Sequence, residues 1–124
     1  MTPDEPLPSG APLVVGPAEI IPHELLVVVD GKRCWLRPRD MEVLALLAAH
    51  AGRVLARSAI FEAIWKKPLG PQDRSVDVSV RRLRARLAEA APEWEFVHTH
   101  HGRGYRFEPA ARRANRRGRA GKSR

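Results

Sequence analysis

From Leu13 the chain breaks into short apolar runs, LVV (13–15), EII (19–21), ELLVVV (24–29) and RCWL (33–36), separated by Gly-Pro, Ile-Pro and Asp-Gly pairs. Runs of this length between turn residues predict up to four short antiparallel strands, with Asp30-Gly31 as a hairpin turn. PRDMEVLALLAAHAG (38–52) then opens on a proline suited to a first helical position and closes on Gly52. Its centre is apolar nearly all round, the pattern of a buried helix. After a short RVLA, a second helix is predicted over roughly 58–66, with Ile60, Phe61, Ile64 and Trp65 on its inner side. KKPLGPQD (66–73) reads as a loop, and DRSVDVSVRRLRARL (73–87) opens a third helix that runs to about Ala90. WEFVHTH (94–100) and GYRF (104–107) predict two strands around the glycine-flanked turn HGRG.

The third helix is the most informative element. At about 100° per residue, Val76, Val80, Leu83 and Leu87 fall within about 60° of one another and form a core stripe. Val78, Arg81, Arg82 and Ala85 lie opposite, with Ser75 and Ser79 at one edge and Asp77 and Arg84 at the other. Such a face matches a duplex group by group. Guanidinium forks fit guanine or phosphate, methyl groups fit thymine, and a carboxylate accepts from cytosine or orients an arginine. The plain alternative is a solvated face that keeps the domain soluble.

Charge refines the picture. The 124 residues carry a formal +8, of which 1–22 contribute −3, 111–124 contribute +7, and the middle only +4. The folded part is therefore basic by local clustering, and a basic balance favours polyanions. The proline-rich start, residues 1–12, reads as a disordered arm, and the end, 110–124, as a low-complexity basic tail. Length allows one domain between them, 13–109. The single cysteine, Cys34, forms no internal disulfide and points to a reducing compartment. With neither a membrane-length apolar run nor a signal-peptide start, the chain is expected in the cytoplasm, at the nucleoid.

An enzyme is not expected, because no nucleophile motif, phosphate-cradling glycine loop or converging polar set is present. No cofactor is expected either. His98, His100 and His101 invite a metal reading, yet no carboxylate or thiol lies close to them in sequence, so phosphate-contacting or solvated imidazoles are favoured.

The spacing of GRVLAR (52–57), Ile64-Trp65, DRSVDVSVRRLRARL (73–87) and GRGYRF (102–107) resembles the winged-helix effector domain of the OmpR/PhoB family of response regulators, over residues 33–107. The resemblance implies an α+β fold: a winged helix-turn-helix with an N-terminal antiparallel sheet, a three-helix core and a C-terminal β-hairpin wing. It implies double-stranded DNA as partner, with the third helix in the major groove. By motif, Arg74 and Ser75 fall where the family touches the DNA backbone, and Arg57 joins them on phosphates. Val78, Ser79, Arg81, Arg82 and Arg84 fall at base- or phosphate-facing positions. Thr99, His101 and Arg103 belong to the wing, with Arg103 between two glycines and aimed at a minor groove. Lys66, Lys67, Leu69 and Gln72 lie in the loop that in some members meets RNA polymerase, and Tyr105 and Phe107 match residues that pack the hairpin down. Family members often bind tandem half-sites as head-to-tail pairs.

This sequence departs from the family's pattern in three ways. Arg37 and Ala56 stand where Ser or Thr usually cap the first two helices, at a cost of about 1 kcal/mol each. Pro38, Asp40 and Ser58 are placed to compensate, and modest stability is expected. His100 and His101 replace the usual valine and arginine before the wing's first glycine. A phosphoacceptor receiver domain is absent, which suggests a stand-alone regulator or the effector part of a longer one. The tail goes beyond what the family needs, and an electrostatic arm on phosphates is the reading its seven positive charges favour. A nonspecific nucleic-acid packaging or RNA-binding protein, and a polymerase-contacting module, stand as alternatives. RNA and single-strand binders usually expose stacking rings, whereas most rings here occupy apolar-patterned positions.

Overall fold

A computed structural model describes residues 11–112. Four strands, β1 (Leu13–Val15), β2 (Ala18–Ile21), β3 (Leu26–Val29) and β4 (Lys32–Trp35), form an antiparallel meander in chain order. Both of its tight turns follow from glycine. Gly16-Pro17 closes the β1–β2 hairpin with φ +57° at the glycine, and Asp30-Gly31 closes β3–β4 with φ +50° and +81°. A single 3-10 turn, Pro22–Glu24, takes the start of the predicted third strand.

Helices α1 (Pro38–Ala49), α2 (Arg57–Trp65) and α3 (Ser75–Ala90) follow, each within a few residues of its predicted bounds. The apolar α1 lies at the centre, with Met41, Val43, Leu44 and Leu47 almost wholly buried. Its first position is Pro38, and neither Arg37 nor Ala56 makes a side-chain capping bond. The α3 stripe of Val76, Val80, Leu83 and Leu87 is buried, as its periodicity predicts.

A second sheet, in the order β5-β7-β6, is built from β5 (Val54–Leu55), β6 (Trp94–His100) and β7 (Gly104–Ala111). RVLA thus supplies a third strand beneath the hairpin. β7 runs four residues past the predicted Phe107 and crosses the expected 109/110 boundary, so residues 110 and 111 belong to the sheet and not to a disordered tail. Pro109 does not stop it because the register shifts between Glu95 and Val97, so that Phe96 faces both Glu108 and Pro109. A proline without an N–H is tolerated at such a bulge. The two sheets are tied by Trp94 Nε1, which donates to Asp30 Oδ2 at 3.2 Å. The expected tail beyond Arg112 and nearly all of the expected N-terminal arm lie outside the described residues.

Candidate nucleic-acid interface

The orientation of α3 is fixed by contacts on both flanks. On one flank Asp40, in the first turn of α1 and 2% exposed, reaches across to it. Asp40 accepts from Ser79 Oγ at 2.5 Å and from Arg82 Nε and Nη2, each at 2.9 Å. Further along the same flank, Arg86 Nε donates to the Trp35 carbonyl of β4 at 3.2 Å. On the other flank Asp77 accepts from Arg57 Nε and Nη2 of α2 at 3.1 and 3.0 Å, and from the Tyr105 hydroxyl at 2.5 Å. Arg84 Nη1 on that flank donates to Thr99 Oγ1 at 2.9 Å and to the Val97 carbonyl at 3.2 Å.

These contacts divide the expected contact residues into two groups. Ser79 is a correction: it is fully buried against Asp40 and not on the outward face. It lies about 40° from Leu83 on the helix wheel, so its angle sets it beside the core stripe although the family motif put it among the contact positions. Arg82 is half-buried and spends Nε and Nη2 on Asp40. The hydrogen bond from Asp40 holds its guanidinium above an already high ordinary pKa. Arg57 is drawn inward to Asp77 and to the Asp73 carbonyl at 3.2 Å. Asp77 is therefore engaged and not free to accept from a base. Burial pushes its carboxyl up, but the bonds from Tyr105 and Arg57 outweigh that and hold it below the usual carboxylate range.

The outward face is narrower than the sequence suggested. Val78 is 39% exposed, and Arg81 and Ala85 are exposed beside it. Among the described residues Arg81 is the single arginine of α3 without a hydrogen bond or ion pair to the protein. At the N-terminus of α3, Ser75 N–H donates to Asp73 Oδ1 at 2.8 Å, so Asp73 supplies the cap that Arg74 cannot. Bonding to Ser75 lowers the Asp73 carboxyl. Arg74 projects beside it, with a loose ion pair to Asp77 at 3.6 Å.

The wing stands next to this face. Its turn runs through His101, Gly102 and Arg103, closed by Arg103 N–H donating to the His100 carbonyl at 2.8 Å. His101 and Arg103 are exposed, and neither side chain has a protein partner among the described residues. Gly104 adopts φ +141°, and a Cβ there would lie 1.9 Å from the Leu55 carbonyl oxygen, so only glycine lets β7 pass so close to β5. Thr99 is exposed, though its hydroxyl already accepts from Arg84. The cleft between the wing and the starts of α2 and α3 measures about 470 Å³. His100 lines it, held below its ordinary pKa by desolvation and then by Arg106, Arg103 and His98. His98 instead donates through Nε2 to the Glu108 carbonyl at 2.8 Å. Among the described residues no group of three or more His, Cys, Asp or Glu gathers as metal ligands would, and no helix is long and apolar enough to cross a membrane.

In the loop 66–73, Lys66, Lys67 and Gln72 are exposed, whereas Leu69 packs partly buried against the core. Two participants were not assigned to this face from sequence. Asp40 looked like a first-turn capping acid and Tyr105 a packing residue, yet both make the bonds that aim α3 and the wing.

Comparison with known proteins follows the same outline. The phosphate regulon transcriptional regulatory protein PhoB of Pseudomonas aeruginosa is 33% identical over 99 residues, covering 80% of this chain and 42% of PhoB. The alkaline phosphatase synthesis transcriptional regulatory protein PhoP of Bacillus subtilis is 29% identical over 77% of this chain and 40% of its own length. The chain thus spans about two-fifths of the length of these relatives. Among solved structures, the DNA-binding domain of CpxR from E. coli superposes with a TM-score of 0.69 at 29% identity, covering 82% of this chain and 99% of that one. The RstA DNA-binding domain of Klebsiella pneumoniae, solved in complex with the RstA box, also gives 0.69, at 32% identity over 78% of this chain and 96% of that one. The family described as "Transcriptional regulatory protein, C terminal" matches residues 31–107. That match covers well over half of the chain, and the protein, a winged helix of the OmpR/PhoB type, belongs to this family.

Proposed function

We propose that the chain binds double-stranded DNA in a sequence-specific manner as a transcriptional regulator, with α3 in the major groove and the wing tip at an adjacent minor groove. The observation that carries this reading is the division of the arginines. Arg82, Arg84 and Arg86 hold α3 in place through internal bonds, while Arg81 and Arg103 stand unpaired among the described residues, on the helix face and at the wing tip. Val78 and Ala85 flank Arg81 with the methyl surface that a thymine edge accepts. Arg74 and Ser75 at the helix start, with His101 on the wing, are the proposed phosphate contacts that set register. Arg82 and Arg57 have a lesser share, because their best donors are already spent.

The same reading gives the exposed Lys66, Lys67 and Gln72 to RNA polymerase, with Leu69 as their inward anchor. It also places two copies head to tail on tandem half-sites, in the bacterial cytoplasm at the nucleoid. The deciding experiment is selection of duplexes from a random pool at physiological salt. A sharp motif is expected. Salt-sensitive binding without a motif would refute sequence reading and leave a packaging role.

A further inference from the structure

We infer that Asp77 and Tyr105 are positioning residues, a strut that sets the angle between the groove-facing helix and the wing so that both engage one duplex together. The inference rests on the DNA-binding reading above. Three elements converge on one carboxylate: Arg57 of α2 donates twice, Tyr105 of β7 donates its hydroxyl, and Asp77 itself stands in the first turn of α3. Among the described residues this is the single side-chain hydrogen bond between β7 and α3. The other tie between the wing and α3 comes from β6, where Thr99 and the Val97 carbonyl take Arg84. A strand pair held to a helix at two separated points cannot pivot about either, so the pair of ties fixes a pitch that one tie would leave free.

The placement suits that task. Tyr105 lies two residues from Arg103, the residue is 7% exposed, and its backbone pairs with Leu55 on one side and Thr99 on the other. Asp77 and Tyr105 both line the cleft that separates the wing from the helix starts. Asp77 sits one residue from Val78 and one turn from Arg81, so a shift of the carboxylate is felt at the outward strip. If Tyr105 served for packing alone, its ring would be enough and its hydroxyl would need no half-buried ionic partner. Burial, and then the Asp77 carboxylate, push the phenol up to about 12.

Tyr105→Phe keeps the ring and removes the strut. On the selected duplex, Arg103→Ala should weaken binding roughly tenfold in the native background but only about twofold in Tyr105→Phe, because a wing freed to pivot no longer brings Arg103 to its groove. Equal penalties in both backgrounds, with a selective native chain, would overturn the strut alone. A native chain without duplex preference would overturn the strut together with the DNA reading. A second measurement needs no DNA. Tyr105 is the sole tyrosine, so phenolate absorbance reports it directly. At pH about 11, with ellipticity showing the fold intact, the phenol of Asp77→Asn should be more ionised than the native one, although burial still raises both. Equal ionisation of the two folded proteins would also overturn the strut.

Discussion

Replacing Asp40 by alanine tests how α3 is aimed. The carboxylate is 2% exposed and accepts three hydrogen bonds, all from α3. Its loss leaves the fully buried Ser79 hydroxyl without an acceptor, which costs about 1–2 kcal/mol. Arg82 is less penalised. Its side chain is 38% exposed and regains water, so the broken pair costs about 1 kcal/mol and not the ~3–5 kcal/mol of a wholly buried one. An acid lost from the first turn of α1 adds a few tenths to about 1 kcal/mol. The expected total is about 2–4 kcal/mol, read as a fall of roughly 2 M in the urea midpoint at unchanged slope. Tryptophan emission follows the transition through Trp35, Trp65 and Trp94. A cycle of Asp40→Ala with Arg82→Ala should show coupling of ~1 kcal/mol. A shift of Asp40→Ala below about 0.5 kcal/mol, or strict additivity, would refute the claim that this carboxylate anchors the helix.

Four further outcomes are expected. Arg81→Ala should relax base preference at one or two positions by ~1–3 kcal/mol in repeat selections, whereas Arg82→Ala should act mainly on thermal stability. Ala56→Ser should raise stability by about 0.5–1.5 kcal/mol in urea titrations, because α2 begins without a side-chain cap. Removing 113–124, which keeps β7 whole and deletes six positive charges, should flatten the dependence of log K on log salt by ~0.9 for each phosphate the tail neutralises and leave the preferred site unchanged; an unaltered slope means the tail is idle. His100 is held below its ordinary pKa in the free protein, by desolvation first, so it is neutral at pH 7.5 and a nearby phosphate favours its charged form. Binding should then take up a proton and tighten from pH 7.5 to 5.5, and His100→Gln should remove part of that gain in fluorescence-anisotropy titrations.

Periodicity and turn chemistry made most of the fold legible. Alternating runs and Asp30-Gly31 marked the first sheet, the all-round apolar α1 announced the central helix, and the four-residue stripe of α3 fell inside as its angles required. The misreadings came where residue type and position disagreed. Ser79 was set among the contact positions by the family motif, although its angle lies beside Leu83, where Asp40 of α1 receives it. Arg82 and Arg57 looked like contact residues because nothing local shows that Asp40, 42 positions away, and Asp77, 20 positions away, would take their donors. β7 was cut short at a Glu-Pro pair, because the bulge that tolerates Pro109 exists only once β6 lies alongside. Long-range ion pairs and register shifts leave no periodic trace in one sequence.

The approach of Gly104 to the Leu55 carbonyl has a practical corollary for altering what the hairpin recognises. A fixed hinge and a replaceable tip are separated there by a single peptide unit. His101 and Arg103 protrude beyond the pinch and can be exchanged, whereas Gly102 holds the turn at φ +76° and any side chain installed at 104 would lever the whole hairpin off its base strand. Libraries aimed at new minor-groove preferences should therefore vary the codons for 101 and 103 and keep both glycines.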